Sequence, residues 1–452
     1  MVTVPGQNGA TAVPFAPPTI RRFLIVAGAL LLAAMPARAQ LVGHGGMVKG
    51  LAVSADGTRA ASAGFDYSVM LWDPKAAAAL ALMHGHEAAV NAVAFTPDGS
   101  RVVSGGDDGK VILWRLGQGA PERVMAGHKG RVAAVAVAPD GRTAASAAWD
   151  RTVRLWDLES GAQLAELTEH AGNVNAVAFT PDGARLVSAG EDGTVRLWNR
   201  SDGREIKVLG GGLPVNALAL TPDGRRAVAG GIDGAVRIWD LDAGTETAGP
   251  VVGDPAPVLA VAVSADGSTG AVSGVTGGIA LWSIDDGRVL HTLAGHRGPV
   301  WALAFEPDGK RLLTAGGDGA IRLWDTAAGL EIRTGAAKLA ASDVPRGEQG
   351  ERGAELFRRC SACHTVTPDG GNRAGPTLYG VFGRRIGTVP GYPYSPALRD
   401  GNIVWTAETV GDLFKRGPDV VTPGTKMPVQ TIGNDAEREE LIRWLEKVTA
   451  PR

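Results

Sequence analysis

The chain has 452 residues, 44% of them hydrophobic and 20% charged, and a formal net charge of −2. That length exceeds one ordinary domain and predicts two or three units. The near-neutral balance lacks the basic excess of a nucleic-acid binder and the charge run of a disordered acidic tail. Its 64 Gly, many of them following Asp, predict frequent tight turns and hence an all-β portion.

Residues 1–22 are polar and Pro-rich and end in Arg21-Arg22. Phe23 to Met35 is an apolar run of 13 residues, short of the roughly 20 that span a bilayer. Pro36-Ala37-Arg38-Ala39 follows as an A-x-A site. The pattern predicts a secretory signal over residues 1–39, cleaved after Ala39, and a periplasmic protein without stable membrane insertion. An uncleaved signal would instead leave an anchor.

From His44 onward the sequence repeats. Trp72, Trp114, Trp156, Trp198, Trp239, Trp282 and Trp324 are spaced 42, 42, 42, 41, 43 and 42 residues apart. Gly-His opens most copies and Trp closes them. A period of this size marks a propeller, and seven copies predict seven blades over residues 40–334. Within one copy, Val90–Phe95, Arg101–Ser104 and Val111–Trp114 read as strands. Thr96-Pro97-Asp98-Gly99 and Gly106-Asp107-Asp108-Gly109 read as turns, with Pro and Gly where turn geometry favours them. A fourth, outer strand precedes the next Gly-His. Such repeats bury their faces only against neighbours, so the ring must close. Gly329-Leu330-Glu331-Ile332-Arg333 follows Trp324 directly. The reading assigns 329–334 as the outer strand of blade 7 and expects little or no interlock with the amino terminus.

This stretch resembles the WD40 family. The resemblance implies a hydrogen-bonded set of His, Ser or Thr, Asp and Trp in each blade, such as His86, Ser104, Asp108 and Trp114. Repeat 5 keeps Asp233 and Trp239 but has Gly212 and Ala229 in the other two places, and repeat 6 lacks the His and the Asp. These two blades should be the softest. The propeller histidines recur with the fold and read as structural, which leaves the propeller without an enzyme signal. Partner contacts are expected on the face bearing Glu87, Arg131, Trp149, Asn173 and Arg297. Trp149 reads equally well as packing between blades.

Residues 335–348 read as a linker and residues 349–452 as a second domain. The first 348 residues without the signal carry 28 Lys/Arg against 35 Asp/Glu, and the second domain 14 against 12, so docking of the two is permitted but not demanded. Helices are expected over Glu351–Cys360, near 406–416, and after Asn434, which reads as an N-cap. Cys360-Ser361-Ala362-Cys363-His364 is C-x-x-C-H, the attachment pattern of haem c. Both thiols would form thioethers to one haem, and His364 would be the proximal iron ligand. The chain has no other Cys. A redox pair would need a βαβ context and a zinc site would need two more ligands, and neither is present. Beyond His364 the domain has no His or Cys and a single Met, Met427. By elimination Met427 is the distal ligand, preferred over neighbouring Lys426. A filled His/Met site favours electron transfer over oxygen or peroxide chemistry.

Gly375-Pro376-Thr377-Leu378-Tyr379-Gly380, Val381-Phe382-Gly383-Arg384, Gly391-Tyr392-Pro393-Tyr394 and Pro423-Gly424-Thr425-Lys426-Met427 make 347–449 similar to class I cytochromes c. The resemblance implies that the Pro376 carbonyl accepts from the His364 ring. It places Arg384, Tyr394 and Trp405 at the haem propionates and crosses the first and last helices at Gly353 and Trp444. Phe414 stands where the family commonly has Tyr, and the family's ring of docking lysines is absent. The expected fold is multidomain, an all-β seven-bladed propeller followed by an all-α cytochrome c domain. The expected function is an exported monohaem electron carrier, not itself an enzyme, with a periplasmic redox partner docked on the propeller or haem edge and no nucleic acid. A haem-redox-sensing scaffold is the alternative. A catalytic subunit of a haem oxidoreductase is the third reading, and it lacks a visible second cofactor site.

Overall fold

A computed structural model describes residues 40–250, 256–332, 352–357, 360, 364–368, 375–390, 392, 394–423, 425, 427 and 431–451. The expected signal (1–39) and linker (335–348) lie outside the described residues.

The repeats form six four-stranded antiparallel sheets and one five-stranded sheet. Blade 2 is representative, with strands Val90–Phe95, Arg101–Gly106, Lys110–Arg115 and Pro121–Ala126 in sequence order from the inside out. The middle strands are buried on both faces, which suits their Ala, Val and Ile content. Each innermost strand packs on the innermost strand of the next blade, and Val48–Val53 of blade 1 packs on Val300–Phe305 of blade 7, so the ring is continuous.

In blades 1, 2, 3, 4 and 7 a relay of hydrogen bonds ties the blade together. In blade 2 the Trp114 indole N–H donates to Ser104 Oγ (2.8 Å). Ser104 meets His86 Nε2 at 2.7 Å, and His86 Nδ1 lies 3.0 Å from Asp108. A carboxylate only accepts, so the ring proton sits on Nδ1 and the serine hydroxyl donates to Nε2. Blade 7 uses Thr314 in place of Ser. Blades 5 and 6 differ, as the sequence indicated. Asp233 of blade 5, without its His, accepts from Arg237 instead (2.5 Å). In blade 6 the buried Trp282 indole nitrogen has no partner among the described residues, and Ser273 donates to the Val300 carbonyl (3.1 Å).

These relays carry a pH signature. Burial opposes ionisation of Asp66, but its His44 partner, with Ser68 and the Gly45 amide, holds its carboxyl at about 2. Asp108, Asp150, Asp192 and Asp318 are likewise lowered against the effect of burial, each chiefly by its histidine's hydrogen bond, except that Thr194 leads at Asp192. A depressed folded-state value stabilises the fold above the unfolded value of about 4, and that contribution is lost as pH falls toward 2. Burial lowers His170 as well, so the propeller melting temperature should decline modestly as pH falls below about 6.5 and drop steeply between about 4 and 2, as followed by calorimetry.

The ring closure differs from the sequence expectation. Gln40–Val42 pairs antiparallel with Ala320–Asp325 as the outer strand of blade 7, setting Leu41 opposite Ile321. Among the described residues, the segment assigned to that role pairs Leu330 and Glu331 with Asp325 and Trp324 at the far end, and the Ile332 amide donates to the Leu323 carbonyl (2.8 Å). Burial explains the outcome. The outer strands of blades 1, 2 and 3 each plug the blade with one apolar residue: Met83 opposite Val69, Met125 opposite Val111, Leu167 opposite Val153. Leu41 fills that position in blade 7 and is 1% exposed, whereas Leu330 is 67% exposed. The signal was present, since Leu41 precedes Gly43-His44 at the offset by which Met83 precedes Gly85-His86.

One irregularity recurs in all seven blades. The innermost strand bulges one residue after its first Val, between Val48 and Gly50, Val90 and Ala92, Val300 and Ala302, and at the equivalent points elsewhere. The skipped residues are Lys49, Asn91, Ala133, Asn175, Asn216, Leu259 and Trp301. A bulged residue leaves the ladder and can be aimed elsewhere. Asn91, Asn175 and Asn216 use that freedom to donate to the backbone of the next blade, at Val132, Val215 and Val258.

Candidate functional site

The C-terminal region is helical, with α1 (Arg352–Phe357), α2 (Pro396–Arg399), α3 (Ala407–Arg416), α4 (Pro418–Val421) and α5 (Asp435–Thr449). Asn434 caps α5 by accepting from the amides of Ala436 and Glu437. Thr406 and Thr409 make a reciprocal capping box on α3. α1 crosses α5 where Gly353 faces Trp444, and a Cβ on Gly353 would overlap the Trp444 Cβ. Phe357 packs on the same indole with ring centroids 5.1 Å apart. Gly353→Ala should therefore wedge the crossing open and destabilise the helical domain by about 2 kcal/mol, the scale of overpacking a tight core. Chemical denaturation followed by haem absorbance would register it, with the propeller transition unchanged.

A single turn links α1 to the attachment motif. The Cys360 amide donates to Phe357 O (2.7 Å) and the His364 amide to Cys360 O (2.9 Å). Cys360 is buried and His364 lies one turn on. Cys363 lies outside the described residues. The His364 Nδ1 is 2.8 Å from the Pro376 carbonyl. A carbonyl only accepts, so Nδ1 carries the proton and Nε2 keeps its lone pair. Burial pushes the His364 ring down, against the pull of the Pro376 bond, which favours neutral imidazole. Gly375 presses on the other side, where a Cβ would overlap the ring. The segment is tied down further by Thr365, whose carbonyl accepts from the Leu378 amide and whose hydroxyl donates to Thr377.

These elements enclose a cleft of about 1320 Å³, solvent mouth included. Its walls are mainly apolar, with Phe357, Leu378, Phe382, Val410, Leu413, Phe414 and Leu445. His364 and Met427 both line it, and the Met427 backbone is held by the Thr425 hydroxyl (3.1 Å). Cys360, Pro376, Arg384, Tyr394 and Trp405 line it too, so the cleft gathers every site residue expected from the sequence that is described. Arg384 donates to the carbonyls of Tyr379 (2.8 Å) and Thr377 (2.6 Å). Burial raises the Tyr394 phenol, and the Arg384 charge opposes it. The Trp405 backbone pairs with Gly383 and Arg384, fixing the indole beside them.

Two contributors went unseen in the sequence. Asp66 of blade 1 also lines the cleft, and Tyr392 meets His84 of the same blade edge-on at 6.4 Å. Contacts between domains leave no periodic trace. The lining suits a haem: a large apolar slot, a neutral imidazole with a free lone pair, and a thioether sharing the same cleft.

The comparisons agree with the geometry. The WD domain, G-beta repeat family matches residues 37–73, 79–115, 119–157, 161–199, 203–240 and 287–325. The gap falls on the repeat lacking its His and Asp. The Cytochrome c family matches residues 350–449. Cytochrome c of Gibberella zeae is 40% identical over 100 residues, 22% of this chain and 93% of that protein. Cytochrome c2 of Blastochloris viridis is 35% identical over 119 residues, 26% of this chain and 88% of that protein. Cytochrome c of Arabidopsis thaliana is 36% identical over 112 residues, 25% of this chain and 99% of that protein.

Proposed function

Because the chain is a WD40-repeat protein carrying a C-terminal cytochrome c domain, we propose that it is an exported one-electron carrier whose propeller holds its redox partner. The cytochrome c domain carries covalent haem c and implies haem-based electron transfer, and cytochrome c relatives are carriers rather than enzymes. The WD40 propeller implies a protein-interaction platform. Haem c supplies a one-electron iron couple.

In this reading Cys360 and Cys363 would anchor the group, and His364 and Met427 would hold its iron. Pro376 fixes the imidazole tautomer. Arg384, Tyr394 and Trp405 form the polar end of the cleft and receive the propionates. The placement of His364 and Met427 in one mainly apolar cleft carries the proposal. Were both side chains to hold the iron, no position on it would be left for a substrate. Export fits the attachment chemistry and the leader pattern of residues 1–39.

The test uses the full-length protein from a periplasmic extract. A reversible one-electron redox titration, spectra unchanged by added cyanide, and a mature chain beginning at Gln40 are expected. Turnover, tight cyanide binding or a retained leader would overturn the corresponding part.

A second reading is favoured by one observation. Asp66 belongs both to the blade 1 relay and to the cleft wall, which offers a route by which haem charge could bias the propeller. A sensor would show redox-dependent amide exchange at blade 1, whereas a simple carrier would not.

A further inference from the structure

The bulge residues define a second site, at the end of the ring where the innermost strands begin. Lys49, the bulge residue of blade 1, reaches Asn91, that of blade 2, donating to its Oδ1 (3.1 Å). Asn91 is locked in that orientation, because its amide donates to Asp107 (2.7 Å) and to the Val132 carbonyl (2.9 Å). The Lys49 ammonium lies 5.7 Å from the ring of Trp301, the blade 7 bulge residue, and 5.9 Å from Phe65. Next to this group, the Arg131 guanidinium stacks 3.1 Å from the Trp149 ring centroid. Trp149 in turn donates to Asn175 (3.0 Å), the bulge residue of blade 4. Five blades (1, 2, 3, 4 and 7) thus converge on two cations framed by aromatic rings.

The hydrogen-bond balance here is one-sided. Trp301 Nε1 and Arg131 Nε are buried without partners among the described residues, and both are donors. The acids within electrostatic reach of the cations, Asp107 and Glu191, are exposed and already accept from Asn91 and Asn173. Burial pushes Lys49 down to about 8, with Arg131 adding to the shift and Asp107 opposing it. Surplus donors, two cations and flanking aromatic faces call for an acceptor-bearing anion.

We propose that Lys49 and Arg131, framed by Trp149 and Trp301, form a carboxylate-binding site that reads an acidic peptide segment of the partner protein. The proposal deepens the docking reading above and rests on it. Trp149 then serves both meanings weighed from the sequence, since it links blades 3 and 4 and is itself 37% exposed.

The experiment is calorimetric titration of the full-length haem protein at low salt with acetyl-tetraglutamyl amide, and with its glutaminyl counterpart as control. Saturable binding of the first and none of the second is expected. Lys49→Gln and Arg131→Gln should each weaken it about tenfold or more, while Arg204→Gln, which removes an exposed cation from the turn leading to the outer strand of blade 4, should leave it within about twofold. With the unsubstituted protein, raising pH from 7 to 9 should weaken binding about fivefold as Lys49 loses its proton, since the peptide has no group titrating there. Absence of saturable binding, equal binding of the glutaminyl peptide, equal loss in all three variants, or pH independence overturns the site. The measurement involves no electron transfer, so its failure is distinct from failure of the carrier reading.

Discussion

Met427→Leu should convert a haem inert to added ligands into one that binds cyanide or imidazole, and lower the reduction potential. Leu preserves the apolar volume of the cleft wall but removes the thioether, so the helical domain should still fold around α1, α3 and α5. Axial ligation sets haem potentials over about 0.8 V, and loss of the Met sulfur should cost on the order of 0.2 V of that range. Absorbance and spectroelectrochemistry on the same sample read both effects. Retention of ligand inertness and potential would remove Met427 from the iron and return the choice to Lys426. The neighbouring Lys426→Ala variant should leave both readings unchanged.

Leu41→Ala should destabilise the propeller by about 3 kcal/mol, within the range for emptying a buried Leu site. Leu330→Ala, at the other half of the same outer strand, should change stability by less than about 0.5 kcal/mol because the side chain is exposed. The contrast isolates which chain end closes the ring. Urea titration followed by Trp fluorescence is a suitable readout, since a Trp is buried in each blade. Equal effects at the two positions would refute closure by the amino-terminal strand.

Most of the blade architecture was legible because a repeat writes its burial pattern many times over. The spacing of the Trp residues and the turns at Asp98-Gly99 and Asp108-Gly109 each encode a local geometry that needs no partner to be read. The cleft was legible for a different reason. Covalent attachment and axial ligation restrict residue types so severely that Cys360, His364 and Met427 stand out by elimination. The closing strand was misassigned because its determinant is one side chain, Leu41, whose partner Ile321 lies at the opposite end of the repeats. Adjacency in sequence favoured 329–334, and hydrophobic burial favoured Leu41. Asp66 at the cleft, the Arg131–Trp149 stack and the Lys49–Trp301 approach were invisible for the same reason: each joins segments that no local pattern connects.

The Leu41–Ile321 pairing also sets an order of events in time. Blades 1 to 6 can assemble from neighbours as the chain emerges, but blade 7 must wait for a strand made first and used last. The ring stays an open spiral until its beginning and end meet, and loop-closure entropy is met in that last step. Refolding should therefore show a slow final phase that Leu41→Ala delays more than a core substitution in blade 3. During that interval the unpaired edge of Ala320–Asp325 is exposed to other chains, so the period before closure is when the protein is most prone to aggregate.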